Sequence, residues 1–329
     1  MKKIGLTAAA MLCIIVMGMT QETQKTFVPE GKPFAKVFSN FHSTMSDGES
    51  ASAFEITRVY LGYGYSFSKN FSGKLNFDVG NPGVGGLQMT AYIKNAYLNY
   101  SLNNLSVSFG LISTTQFKTQ EKFWGNRYVE KSFQDLYKFN ASADLGVSLA
   151  YKLCDFASVD LSLFNGEGYK KLQADSSFQT AIGLTLDPVD KITVRGVYDF
   201  LPGGDATQST ISGFVGYTGS DLSIGAEYNY QSNTGRMDAK DVFGTSVYAG
   251  YSPSKKVKLF ARYDNLSSNT LSGATADWNV AKDGQLIIAG LEYEPVKGVK
   301  LAPNFQSWNP ASDTKPNITT LLLNCEFKF

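Results

Sequence analysis

The feature that most constrains this chain is a period-two alternation of apolar and polar residues along most of its length. From Asn140 to Leu153, the odd positions are apolar and the even positions are mostly polar. Residues 221–231 and 256–265 repeat the pattern. Because successive side chains of a strand point to opposite faces, each segment predicts a strand with one apolar face and one polar face.

Sixteen segments of this kind can be placed along the chain. Most reach the roughly 9–11 residues that a tilted strand needs to cross a bilayer. We therefore predict an all-β fold, a 16-stranded antiparallel transmembrane β-barrel. Its strands are expected at 34–44, 53–67, 71–80, 88–101, 104–113, 139–152, 157–167, 177–187, 191–200, 209–217, 221–231, 243–252, 256–265, 285–294, 298–308 and 317–329.

The connections between these segments alternate strictly between long and short. The first long connection is 45–52, and later ones include 114–138 and 266–284. The short connections include 68–70 and 102–103. Outer-membrane barrels have this arrangement, with short periplasmic turns and long outer loops. A soluble β-sandwich has no reason to segregate its loops in this way.

Aromatic residues recur at the strand ends beside the short turns. At the membrane interface, amphipathic aromatic rings form a girdle around a barrel. The alternative is that aromatic residues simply favour strands, which explains their number better than their position. The expected girdle comprises Tyr63, Tyr65, Phe67, Tyr100, Tyr151, Tyr217, Tyr251, Tyr293 and Phe327.

The N-terminus has the layout of a secretory signal peptide. The basic residues Lys2 and Lys3 precede an uncharged apolar run from Ile4 to Met17, which is short for a membrane-spanning helix. An N-terminal membrane anchor is the alternative. We assign residues 1–20 to a signal peptide, 21–33 to a lead-in and 34–329 to the barrel.

Composition excludes several classes of function. The chain has 30 Lys+Arg, 29 Asp+Glu and one His, so it has no basic excess for nucleic acid. A single imidazole argues against most metal chemistry, and we expect no metal, no cofactor and no enzymatic activity. His42 is the only candidate for a catalytic imidazole, and we interpret it as a polar residue of the lumen or rim.

Cysteine usage excludes a disulfide scaffold. Only Cys154 and Cys325 follow the signal peptide, far too few for a disulfide framework. Isolated apolar cysteines are the favoured interpretation, and a single pair stays open.

The last predicted strand ends in an aromatic residue. Residues 321–329 read LLLNCEFKF, which resembles the assembly signal of bacterial outer-membrane β-barrels. The resemblance implies that Phe327 and Phe329 are read by the barrel assembly machinery.

Further resemblance lies in the first half of the chain. Five stretches are similar to small Gram-negative outer-membrane porins related to the phosphate-selective O/P group: 54–61 (FEITRVYL), 94–98 (KNAYL), 121–128 (EKFWGNRY), 142–147 (SADLGV) and 165–169 (NGEGY). The resemblance covers about residues 50–170 and the terminus. It implies a sixteen-stranded pore, often a homotrimer, that passes small hydrophilic solutes passively. It does not by itself imply phosphate.

The longest connection, residues 114–138, follows the fifth strand. In sixteen-stranded porins the third long loop folds inward and narrows the channel, and this connection occupies that position. Phe117, Trp124 and Tyr128 recur at near-helical spacing, which predicts one or two helical turns against the wall. The alternative is a charged outer loop that never enters the lumen. The expected constriction residues are Lys118, Glu121, Lys122, Arg127, Glu130 and Lys131; with Asp135 and Lys138 the segment has a positive excess, which predicts a slight anion preference.

Alternation also turns charged residues of both signs into the lumen. Opposed charges would create a field across a water-filled pore. The simpler explanation is that charges face water because lipid would penalise each Lys or Arg by about 2–4 kcal/mol. No unbalanced cationic ladder is evident, so phosphate selectivity is not predicted. The expected lumen charges are Arg58, Lys74, Arg195, Lys258, Arg262 and Lys300, with Asp78, Asp144, Asp160, Asp199, Glu227 and Glu292.

The function that these features favour is passive diffusion of small hydrophilic solutes and ions across the outer membrane. Sixteen strands enclose an aqueous channel that their own side chains cannot fill. The alternative is a non-conducting barrel that acts as a surface adhesin or structural protein. In that case residues 266–284, which include Trp278, would form the binding surface.

Overall fold

The computed structural model describes residues 27–80 and 89–329, so the expected signal peptide, residues 1–20, lies outside the described residues. No helix among the described residues is long and apolar enough to cross a membrane. The strands found within them are β1 Glu30–Ser46, β2 Glu49–Ser66, β3 Phe71–Gly80, β4 Thr90–Leu102, β5 Leu105–Ile112, β6 Asp144–Cys154, β7 Ala157–Phe164, β8 Gln179–Val189, β9 Ile192–Leu201, β10 Gln208–Thr218, β11 Leu222–Ser232, β12 Val242–Ser254, β13 Val257–Ser268, β14 Gly284–Val296, β15 Val299–Pro310 and β16 Ile318–Lys328.

These strands form one closed antiparallel barrel, which confirms the predicted fold class. Each strand pairs with its neighbours in sequence, and β1 pairs with β16 to close the sheet. At the seam Asn40 lies opposite Asn324. The last residue continues the ladder, since Ala35 N–H donates to Phe329 O over 2.9 Å and Phe329 N–H donates to Ala35 O over 3.1 Å. Closure pairs both edges of the sheet, which would otherwise be templates for aggregation.

The alternating sequence pattern determines which face of the sheet each side chain occupies. On β13, Leu259 and Tyr263 are exposed, whereas Phe260, Arg262 and Asp264 are buried. The apolar face thus points outward and the polar face inward, the reverse of a soluble protein and the arrangement that a barrel in lipid requires.

The expected aromatic girdle lies on the outer face beside the short turns. Seven of its nine members have large exposed fractions: Tyr63, Phe67, Tyr151, Tyr217, Tyr251, Tyr293 and Phe327. Tyr100 packs on Phe71 of the neighbouring strand β3, with ring centroids 4.8 Å apart. The positions of these aromatic residues, as well as their number, therefore agree with a girdle at the membrane interface.

The first connection differs from the prediction. A long loop over 45–52 is wrong, because β1 and β2 extend until only Asp47 and Gly48 separate them. Both residues have positive φ, 51° and 80°, as in the tight turns that match the twist of a hairpin. The alanine and serine residues of 50–53 hide this strand extension, because they carry little hydrophobic pattern. β1 also begins at Glu30, inside the expected lead-in 21–33.

Candidate functional site

The connection between β5 and β6, residues 113–143, lies inside the barrel, and we call it the inner loop. It contains two short helices, α1 Lys118–Trp124 and α2 Phe133–Leu136. Helix α1 is followed by its C-cap residue Gly125, whose φ of 67° lies in the left-handed region that glycine tolerates. The Gly125 N–H donates to Glu121 O over 3.0 Å. The predicted helical turns are therefore present.

An apolar cluster fixes the inner loop to the barrel wall. Trp124 is 2% exposed and meets the rings of Tyr248 and Phe260 edge-on, with centroids 5.7 and 5.9 Å away. Ile288 and Phe38 complete the cluster around it. Burying an aromatic side chain of this size is a large apolar contribution to holding the loop in place.

Hydrogen bonds reinforce this attachment. Tyr128 Oη donates to Glu292 Oε2 on β14 over 3.0 Å, and Asn324 Nδ2 on β16 donates to Tyr128 O over 3.1 Å. Burial, and then the Glu292 carboxylate, hold the pKa of Tyr128 well above its usual range, so the phenol remains a donor. Tyr248 Oη on β12 donates to Gln120 O over 2.9 Å.

Further bonds place the loop against one half of the barrel. Arg195 on β9 donates to Thr115 O over 3.1 Å, and Gln231 on β11 donates to Phe139 O over 2.8 Å. Gln134 Nε2 donates to Ser212 Oγ on β10 over 2.9 Å. The wall partners of these hydrogen bonds lie on β9 to β16. The opposite wall meets the loop through Phe38 of β1, in the Trp124 cluster, and through Lys94 of β4, which donates to Ser142 Oγ over 3.1 Å.

A cavity of about 440 Å³ lies between the inner loop and the wall formed by β1–β4. We call it the central cavity. Its loop side carries Lys118, Glu121, Arg127 and Asp135, and its wall side carries Lys36, Lys74 and Lys94 among aromatic rings. Arg127 is paired twice, with Asp135 over 2.9 Å and with Glu121 over 3.4 Å.

A second cavity, of about 610 Å³, adjoins the central cavity on the side of the long connections. We call it the outer cavity. The two share Asp135 and Ser142 in their linings. Arg236 in this lining is held by Asp175, whose pKa it lowers through their hydrogen bond. The outer cavity is lined by two acidic residues, Asp135 and Glu167, and by the cations Arg58, Lys131, Lys138, Lys170, Lys171 and Arg236.

The expected constriction residues are divided among different cavities. Lys118, Glu121 and Arg127 line the central cavity. Glu130 and Lys131 line a neighbouring cavity with Arg58. Lys122 instead lines a cavity beside the short turns, together with Lys258 and Asp187 among others. The six residues thus follow the length of the lumen and do not form one ring.

Most of the expected lumen charges face inward but are already engaged. Four of the cations pair with carboxylates: Arg58 with Asp78 (3.2 Å), Arg195 with Asp160 (2.7 Å), Arg262 with Asp264 (2.6 Å) and Lys300 with Glu292 (2.8 Å). Lys258 donates to Asn126 (2.7 Å). Asp144 accepts from Gly166 N–H (2.7 Å), Asp199 from Gln179 (3.0 Å) and Glu227 from Asn229 (3.0 Å). Lys74 differs, because among the described residues neither a carboxylate nor another hydrogen-bond acceptor engages it, and its ammonium lies 4.9 Å from the ring centroid of Phe34.

Lys94 also faces the lumen, which the alternating pattern did not predict. Alternation fails there because the register between β3 and β4 shifts: Asn76 pairs with Asn95, but Phe77 pairs with Ile93. Lys94 is the extra residue of this bulge, and both Lys94 and Asn95 are buried inside. A β-bulge redirects a side chain in this way, and no compositional signal marks it.

Several other residues that the sequence analysis named lie elsewhere in the barrel. His42 bonds Asn40 Oδ1 over 2.9 Å on the lumen side of β1. Cys154 and Cys325 are both free thiols. Trp278 donates to Asp241 O over 2.8 Å and packs against the cluster of Phe133, Phe139, Val242 and Leu266. Phe327 and Phe329 are exposed at the end of β16.

Comparisons with known proteins bear on the fold. No protein-family model matches the sequence, and no curated protein matches it either. Several solved structures, however, are similar to this chain in fold. The outer membrane channel DcaP of Acinetobacter baumannii has a TM-score of 0.67 at 13% identity, covering 92% of this chain and 97% of that one. OprB of Pseudomonas putida has a TM-score of 0.68 at 10% identity, covering 91% and 94%.

An anion-selective porin from Comamonas acidovorans is also similar. Its TM-score is 0.66 at 11% identity, and the match covers 92% of this chain and 100% of that one. Identities this low bear on architecture alone. This chain has the fold of outer-membrane porins, a closed sixteen-stranded antiparallel β-barrel.

Proposed function

We propose that this protein is a porin in the outer membrane of a Gram-negative bacterium, exported by a signal peptide that is then removed. It is a passive diffusion channel for small hydrophilic solutes and ions, with a mixed-charge pore and a slight anion preference. It catalyses no reaction and requires no cofactor. The observation that carries this proposal is the pair of adjoining cavities beside the inner loop, the central cavity towards β1–β4 and the outer cavity towards the long connections.

The charges around these cavities support the anion preference. The central cavity is lined by the cations Lys36, Lys74, Lys94, Lys118 and Arg127 against Glu121 and Asp135. The outer cavity has a similar excess. A lumen lined by an excess of one sign concentrates ions of the opposite sign. The preference is slight because Arg58, Arg195, Arg262 and Lys300 are each paired with a carboxylate.

We infer that the protein functions as a homotrimer surrounded by outer-membrane lipid. Support comes from the fold shared with OmpT of Vibrio cholerae, described in its trimer form, at a TM-score of 0.63 and 14% identity. We also infer that the barrel assembly machinery reads Phe327 and Phe329. Both side chains are exposed at the seam, where a receptor could reach them.

Conductance of the refolded protein in a planar bilayer tests the channel. We expect steady nanosiemens-scale steps, and swelling of proteoliposomes in solutions of small sugars. A heat-modifiable, folded barrel that passes no current would overturn the proposal. It would favour a surface adhesin or structural barrel, whose binding surface would be sought at residues 266–284.

A further inference from the structure

Three lysines in the central cavity differ from the lumen cations that are paired with carboxylates. Lys74 on β3, Lys94 on β4 and Lys118 on α1 come from separate elements and line one space. None forms a salt bridge within residues 27–80 and 89–329, in contrast to Arg58, Arg195 and Lys300. Residues 81–88 carry no acidic side chain that could supply one.

Two of these ammonium groups lie close to aromatic rings. Lys74 Nζ lies 4.9 Å from the ring centroid of Phe34. Lys94 Nζ lies 5.4 Å from that of Tyr60 and 5.1 Å from that of Tyr169, and it donates to Ser142 Oγ over 3.1 Å. A ring face attracts a cation without neutralising it. The positive charge therefore remains available to an anion in the cavity.

The lysines also affect one another. Enclosure by the protein lowers the pKa of Lys118, and the charges of Lys74 and Arg195 act in the same direction. Asp160 and Glu121 act in the opposite direction. An anion between Lys118 and the wall would relieve this repulsion.

The surfaces between the lysines indicate what kind of anion fits. The rings of Phe34, Phe38, Tyr60 and Phe117 line the same cavity. Their faces offer apolar surface to a hydrocarbon body. Arg127, the residue of this lining whose guanidinium fork would suit an inorganic oxyanion, is already held by Glu121 and Asp135. A volume of about 440 Å³ exceeds the space that a single small oxyanion occupies.

We propose that Lys74, Lys94 and Lys118, with the ring of Phe34, form a saturable binding site for organic carboxylates that carry an apolar ring. This inference rests on the proposed channel function and names the solute class that the central cavity favours. Binding is weak, as transport requires, because a solute held tightly would not leave.

The test is block of the chloride current by benzoate in planar bilayers. Acetate supplies the charge without the ring, benzyl alcohol supplies the ring without the charge, and inorganic phosphate supplies an oxyanion. We expect saturable block by benzoate at concentrations where the other three leave the current unchanged. Equal block by acetate, or stronger block by phosphate, would overturn the choice of ligand class.

Variants locate the site. We expect Lys74→Gln, Lys94→Gln and Lys118→Gln each to raise the half-blocking benzoate concentration about threefold to fivefold, as expected for loss of one partly solvated ion pair. Phe34→Leu should raise it similarly while keeping the charges. Lys122→Gln is the matched control, because it removes the same charge from the same helix but lines the cavity beside the short turns.

The outcomes separate this inference from the channel proposal. Normal conductance without saturable benzoate block contradicts the site alone, whereas absence of conductance contradicts the channel. Block that Lys122→Gln weakens as much as Lys118→Gln would show a diffuse charge effect and overturn the site. Lys118 is exposed to the lumen on the inner loop, so its variant keeps the test valid if a strand variant fails to fold.

Discussion

Lumen cations of this protein are held in two different ways. Arg58 is paired with Asp78, which is fully buried, so little of its charge reaches a passing ion. Lys74 and Lys94 lie against rings and keep their charge. At the scale of single residues, we therefore expect the proposed anion preference to depend on which cations lack a carboxylate partner, more than on the number of inward lysines and arginines.

Asp78→Asn tests the role of the paired cations. The change leaves Arg58 inside the barrel without its partner, and breaking such a buried pair costs about 3 kcal/mol or more of stability. It also adds a net positive charge beside the outer cavity. We expect a lower temperature of heat modification in gels and a reversal potential shifted further towards anions.

Asp155→Asn is the control for that variant. Asp155 also pairs with a cation, Lys152, over 2.6 Å, but its side chain is fully exposed on a short turn. We expect neither stability nor selectivity to change. Equal behaviour of the two variants would contradict the role assigned to the Arg58–Asp78 pair.

Strands and turns were predictable from the sequence where the pattern has a physical cause. Lipid outside and water inside impose alternation, so β13 was predictable almost to its ends. The failures have physical causes too. Asp47 and Gly48 close the first hairpin by adopting positive φ, and their alanine- and serine-rich flanks do not reveal the extended strands. The bulge that turns Lys94 inward belongs to the register between two strands, and register is a tertiary property.

Gly48→Ala tests the turn assignment. No atom lies near the position that a Cβ would occupy, but φ is +80°, so the penalty is purely conformational. We expect a loss of about 1 kcal/mol, from the strain of a left-handed residue with a side chain, seen as a lower unfolding midpoint in urea.

Gly64→Ala is the matched control for the hairpin. Its Cβ also meets open space, but its φ is not in the left-handed region. We expect its midpoint to be unchanged or slightly raised. A Gly48→Ala barrel as stable as the Gly64→Ala barrel would mean that the first connection is a loose loop, as the sequence had suggested.

The inner loop is the element whose placement the sequence indicated only in part. The near-helical spacing of Phe117, Trp124 and Tyr128 predicted helical turns, and α1 supplies them. Its attachment to the half of the barrel from β9 to β16 was not predictable, because it depends on distant partners such as Glu292 and Asn324. This attachment determines which lysines of the wall the inner loop leaves uncovered.

Trp124→Ala tests whether the inner loop is anchored as described. Removing this buried ring should cost about 3–5 kcal/mol and free the loop from Tyr248 and Phe260. We expect larger and noisier conductance steps. Phe109→Ala, which removes an aromatic side chain that is 70% exposed on the outer face, should leave conductance unchanged. Quiet, normal conductance in the Trp124 variant would contradict the anchoring.

At the scale of the whole molecule, one sheet separates two environments, and one loop divides the space that the sheet encloses. The outer face is apolar with a girdle of rings. The inner face is polar, filled on one side by the inner loop and open on the other, where cations outnumber acids. The chain as a whole is nearly neutral, with a formal net charge of +1, so any ion preference must come from this internal segregation of charge.

The most direct test of this account is the reversal potential of the wild-type protein in a planar bilayer under a tenfold gradient of potassium chloride. We predict an open channel whose reversal potential has the sign of a slight preference for chloride. A potential of the opposite sign, or one at zero, would contradict the segregation of charge described for the central and outer cavities.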